Sequence, residues 1–126
     1  MLANARYQAT LPASNFERAK AFYADKLGLT PASDVPAGAF YESNGTRFLL
    51  FPSSGAASGT HTQLGFDVDD IAATVKDLEG RGVHFEEYDF PGFDKATRIA
   101  TVGGVQSAWF KDTEGNLLGI VQLAED

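Results

Sequence analysis

The chain has 126 residues, 44% of them apolar, and no cysteine; that suffices for one domain with its own core and removes disulfides, thiolate metal sites and cysteine nucleophiles. Ten Lys and Arg against 17 Asp and Glu leave a formal charge of −7, which disfavours the basic footprint that a nucleic-acid partner requires. No run approaches the ~20 apolar residues of a membrane span, and the opening MLANARYQATLP lacks the basic-then-apolar order of a signal peptide, so the expectation is a cytoplasmic protein without a membrane partner.

In chain order, Arg6 to Leu11 alternates as a strand, with Tyr7, Ala9 and Leu11 on one face and Gln8 and Thr10 on the other. Ser14 or Asn15 offers an N-cap, and Phe16, Ala19, Phe22, Tyr23 and Leu27 recur at helical spacing before Gly28 stops the helix. Pro31 to Gly38 reads as a loop, Ala39 to Glu42 as a strand, Ser43-Asn44-Gly45-Thr46 as a hairpin turn, and Arg47 to Phe51 as the returning strand. Pro52 to Gly59, rich in Ser, Gly and Ala, reads as a connector. The order then repeats: a strand over His61 to Val68, an N-cap at Asp69 or Asp70, a helix striped by Ile71, Val75 and Leu78, a glycine stop at Gly80-Arg81-Gly82, and a strand over Val83 to Tyr88. Asp89 to Gly104 reads as a long loop, placed as a lid or interface loop. Gln106 to Lys111 and Leu117 to Leu123 form a hairpin around Asp112-Thr113-Glu114-Gly115-Asn116.

Superposing the halves at a shift of 55 places Gln8 on Gln63, Leu11 on Phe66, Asn15 on Asp70 and Phe16 on Ile71. Identities are few, so the repeat lies in the shared order of strand, capped helix, glycine stop and strands.

Three segments in that order, FERAKAFYADKLGL (Phe16 to Leu29), LGFDVDDI (Leu64 to Ile71) and WFKDTEGNLLGIVQ (Trp109 to Gln122), resemble the vicinal oxygen chelate superfamily of glyoxalases, bleomycin-resistance proteins and extradiol dioxygenases. The resemblance implies an α+β fold: two βαβββ modules, residues about 4–55 and 61–124 with a connector at 52–60, forming one cup-shaped mixed sheet with helices on the convex face. Metal-dependent members place one ligand on the first and one on the last strand of each module, positions that here correspond to Gln8, Leu50, Gln63 and Gly119. Leucine and glycine side chains cannot coordinate a divalent ion, so neither metal nor cofactor is expected. His61, two residues before Gln63, would become a ligand only after a register slip, and is otherwise an ordinary polar residue at a strand start.

A cup lined by Gln8, Thr10, Leu50, His61 and Gln63, with Phe90, Phe93 and Trp109 from the long second-half loop and the strand after it, has the makeup of a small-molecule site. The resemblance then implies a binding protein of the bleomycin-resistance type, a homodimer that sequesters a cationic or aromatic compound and has no catalytic residues. The alternative is a metal-dependent lyase, isomerase or dioxygenase of the same superfamily that uses His61. Asp112 and Glu114 read as turn residues, not paired catalytic carboxylates, because Asp and Asn bond their own backbone in such turns.

Overall fold

The computed structural model describes residues 2–55 and 57–123; Ala56 of the expected connector and the expected end of the second module at residue 124 lie outside the described residues. After a short 3-10 turn at Leu2–Asn4, the first module runs β1 (Ala9–Ala13), α1 (Phe16–Leu27), β2 (Ser33–Val35), β3 (Gly38–Ser43) and β4 (Thr46–Pro52). The second runs β5 (Thr62–Asp67), α2 (Ile71–Gly80), β6 (Phe93–Asp94), β7 (Ile99–Val102), β8 (Val105–Lys111) and β9 (Leu117–Gln122).

Both helices begin as their local sequence dictates. Asn15 and Asp70 hold extended backbone angles, and each side chain accepts a hydrogen bond from the backbone N–H three residues on, at Arg18 and Ala73. Such a cap satisfies one of the four free donors at a helix start and is worth ~1 kcal/mol. Gly28 ends α1 in the left-handed region. Asn44 and Gly45 both have positive φ, 51° and 81°, the pair of angles that closes a two-residue hairpin between β3 and β4.

The sheets repeat one topology. β1 pairs in parallel with β4, giving the order β1-β4-β3-β2, and β5 pairs in parallel with β9, giving β5-β9-β8-β7-β6. These are two mixed sheets, one per module, that come into contact along β1 and β5, the two-module α+β fold expected. Each has one face against a helix. Leu11, Ala39, Tyr41, Phe48 and Leu50 meet Ala19 and Tyr23 of α1, while Ala108, Phe110, Leu118 and Ile120 meet Val75 and Leu78 of α2, all within one contiguous core. Full burial of a Leu or Phe side chain contributes roughly 1.5–3 kcal/mol, so these inward positions define which face each strand shows the helices.

Several expected elements differ. The first strand is Ala9–Ala13, not Arg6 to Leu11, and Tyr7 is 86% exposed. The expected Pro31 to Gly38 loop contains β2. Val83 to Tyr88 makes only one bridge, Phe85 with Phe110, plus a bond from the Glu86 N–H to the Trp109 carbonyl. It lies beyond β7 along the same side of β8, where β7 pairs with Val105 to Ser107. Asp89 to Gly104 is correspondingly not a loop, since it supplies β6 and β7 at the edge of the second sheet.

The β8–β9 turn locks the modules together. The Asp112 carboxylate accepts bonds from the Tyr23 hydroxyl (2.7 Å), the Asn116 amide side chain (2.8 Å) and the backbone N–H groups of Glu114 (2.8 Å) and Asn116 (2.9 Å). Burial, and then the Asp112 charge, push the Tyr23 phenol far above its usual range, so it remains a donor. Asn116 also donates to the Pro12 carbonyl, tying the turn to β1. Glu114 reaches the start of α1, where it accepts from Ser14, the Asn15 N–H and Arg18. Asp112 thus organises its own turn, as the residue pattern implies, and both acidic side chains serve the junction.

Candidate functional site: two open sheet faces

The faces turned away from the helices carry the candidate site. In the first module, Thr10 pairs with Leu49, Phe40 with Leu49, and Glu42 with Arg47, so these side chains share the open face. Gln8 joins them, accepting a 3.0 Å bond from the Arg47 Nε. The Arg47 guanidinium carbon also lies 4.2 Å from the Phe40 ring centroid, within cation–π range.

Leu50 does not share this face, which corrects its expected placement. It pairs with Leu11 and Ala39 and is fully buried beneath α1; Leu49 takes the open position. The physical reason is that Phe48-Leu49-Leu50-Phe51 is apolar on both faces, so alternation within the run cannot say which residues turn inward.

In the second module the open face is aromatic. Trp109 pairs with Gly119, and its ring lies against that glycine: a β-carbon on Gly119 would come within 3.5 Å of the indole and 3.3 Å of the Thr62 methyl. The indole N–H donates to the Thr62 hydroxyl at 3.0 Å, which fixes the ring plane. Tyr88 stands edge-on to Trp109 at 5.4 Å and to Phe93 at 5.9 Å, and Phe90 lies 5.6 Å from Phe93 and 6.5 Å from Trp109. Burial, with Glu86 as a smaller cause, raises the Tyr88 phenol. Phe90 is 37% exposed and forms the outer lip of the cluster.

The structure therefore unites Phe90, Phe93 and Trp109 on one module and Gln8 and Thr10 on the other. Gln63 occupies a register irregularity in β5, between Thr62, which pairs with Leu117, and Leu64, which pairs with Leu118. Its Oε1 is buried without a hydrogen-bond partner among the described residues. His61 lies exposed before β5, its Nδ1 3.1 Å from the Ser58 hydroxyl. Tyr88, one of the aromatics around the long second-half segment, joins Phe90, Phe93 and Trp109, and Thr62, Phe40 and Arg47 are site residues absent from the expectation. Only Arg47 left a signal, as a charge at the start of an apolar strand beside a hairpin.

Two clefts flank the β3–β4 hairpin. One, of about 1120 Å³, runs between Ala5–Gln8 and Glu42–Arg47; the other, of about 490 Å³, lies between the hairpin and β5, with Tyr41, Phe48, Leu64 and Phe66 among its walls.

The residues present do not fit a divalent metal. Of the four positions, Gly119 has no side chain, with the space above it bounded by Thr62 and Trp109; Leu50 is buried in the core and Leu49 in its place offers no donor atom; Gln8 already bonds Arg47. Among the described residues no three His, Asp or Glu side chains converge, and catalytic sites of this kind need about three protein ligands. No described helix is long and apolar enough to cross a membrane.

The geometry agrees with comparisons to known proteins. An uncharacterised protein of Bacillus subtilis (strain 168), YurT, is 30% identical over 109 residues, covering 80% of this chain and 85% of the relative. Among solved structures, UcmS2 superposes with a TM-score of 0.73 at 21% identity, covering 94% of this chain and 98% of that one. The lactoylglutathione lyase of Agrobacterium tumefaciens gives 0.63 at 23% identity, covering 94% and 93%. TnmS3, an antibiotic binding protein from Streptomyces sp. CB03234, gives 0.66 at 23% identity, covering 96% and 98%. The model of the Glyoxalase/Bleomycin resistance protein/Dioxygenase superfamily matches residues 7–120, nearly the whole of both modules, and the chain belongs to that superfamily.

Proposed function

We propose that this protein binds a planar aromatic small molecule on the open face of its second module, without a metal. The observation that carries the reading is the cluster of Tyr88, Phe90, Phe93 and Trp109, whose rings meet at 5.4 to 6.5 Å on a sheet face beside an exposed edge. Aromatic rings arranged edge to face contribute ~0.5–1.5 kcal/mol per pair beyond their burial, and a further ring entering at Phe90 would make the same contacts. Supporting it, one fold relative is named as an antibiotic binding protein, and the donor set above suits binding better than metal chemistry. The reading includes a homodimer, in which a second copy would cover the open faces.

Trp109 is the chain's one tryptophan, so its fluorescence reports on this face alone. Titration with neutral 1-naphthamide and cationic 9-aminoacridine is expected to quench it saturably, and Phe90→Ala to weaken that binding about tenfold. Absence of quenching by either compound, or unchanged affinity in the variant, refutes the aromatic site. Tight calorimetric binding of zinc, nickel, manganese or iron(II) refutes its metal-free character.

A further inference from the structure

The aromatic site above rests on the second module alone, yet the first module's open face carries a cation held in place and unpaired among the described residues. Arg47 is held from two sides, by its Nε bond to Gln8 and by the Phe40 ring beneath it. It takes part in none of the ion pairs among the described residues, whereas six other basic side chains each lie within 4.0 Å of a carboxylate. Neither terminal nitrogen has a hydrogen-bond partner among the described residues, and both belong to the wall of the larger cleft, which Arg6 also lines.

We propose that this cleft is a binding site for the carboxylate of a small organic acid, with Arg47 as the residue that recognises it. A guanidinium fork presents two parallel N–H donors that match a carboxylate. Because Nε is spent on Gln8, the matching edge is the Nη1–Nη2 pair, and holding the side chain in advance lowers the entropy lost on binding. The charge of the ligand follows from the neighbours. Glu42 sits directly across the strand pair from Arg47, so a doubly charged phosphate ester would meet about twice the opposition that a single carboxylate meets. Tyr7, which lines the same cleft and is exposed, suits an apolar body behind the acid group.

The test is a titration followed by proton–nitrogen NMR, with benzoate, benzamide and inorganic phosphate as probes. Benzoate is expected to shift the Arg47 Nε–H and the Gln8 side-chain amide saturably, with the millimolar Kd usual for a fragment of this size. Benzamide should bind at least about tenfold more weakly, as should phosphate. Arg47→Gln should abolish the preference for benzoate over benzamide, and Glu42→Gln should tighten benzoate binding about threefold. Equal binding of benzoate and benzamide, no saturable benzoate shift at about 50 mM, tighter binding of phosphate, or a preference that survives Arg47→Gln would each overturn the proposal. Trp109 fluorescence reads the second module separately, so failure of either site leaves the other measurable.

Discussion

Replacing Tyr23 with Phe deletes one oxygen from the contact between α1 and the β8–β9 turn. Tyr23 is fully buried, and its hydroxyl donates at 2.7 Å to Asp112. A hydrogen bond to a charged acceptor contributes roughly 1.5–3 kcal/mol. Asp112 would keep three other donors, from the Asn116 side chain and two backbone N–H groups, so it would not be orphaned. That places the expected loss near ~2 kcal/mol, or a fall in Tm of about 6–8 °C for a domain of this size. Asp112→Ala should do more, about 4 kcal/mol, because it strands a buried phenol and two backbone donors at once. Urea denaturation followed by circular dichroism measures both, and the double variant isolates the pair term. Tyr23→Phe within ~0.5 kcal/mol of the parent at an unchanged denaturant slope would refute the view that this bond joins the modules.

Acid stability should depend on Glu114. Hydrogen bonding from Arg18, aided by bonds from Asn15, Thr113 and Ser14, holds its carboxyl at about 2, against 4.5 for the free group. The folded value lies below the unfolded one, so the stabilisation is complete above pH ~4.5 and is lost as pH falls through ~2. The full shift corresponds to ~3 kcal/mol, and solvent screening by way of the half-exposed Arg18 side chain reduces this to ~1–2 kcal/mol. Glu114→Gln should therefore be destabilised at pH 6 and converge on the parent near pH 2 in urea titrations; parallel curves would contradict the assignment. Gly38, at the start of β3, has φ +152°, and a β-carbon there would overlap the Leu50 carbonyl oxygen of the paired strand. Gly38→Ala is expected to lose more than about 2 kcal/mol by thermal melting, and an unchanged Tm would show that the strand pair yields more readily than its geometry indicates.

What local sequence determines here is chiefly where elements start and stop. Asn15, Gly28, Asn44-Gly45 and Asp70 each act on backbone atoms within a few residues, so their chemistry is legible without knowing the fold. The inward parity of β1 is legible too, because Ala9, Leu11 and Ala13 alternate with Gln8 and Thr10. The motif resemblance likewise identifies the superfamily, since the three segments carry caps and turns in a fixed order.

Tertiary structure decided what depends on register between distant strands. Leu49, not Leu50, reaches the open face because Leu11 pairs with Leu50 across the parallel ladder, and no alternation inside an apolar run encodes that choice. Thr62 reaches Trp109 beside a one-residue irregularity at Gln63. Val83 to Tyr88 meets the sheet through a single bridge, Phe85 with Phe110, while β7 pairs with the start of β8. Arg47 becomes a fixed cation only once Gln8 and Phe40, from two other parts of the chain, meet it. A residue's own neighbours set its backbone angles, whereas the face it shows and the groups it meets belong to strands paired across the sheet.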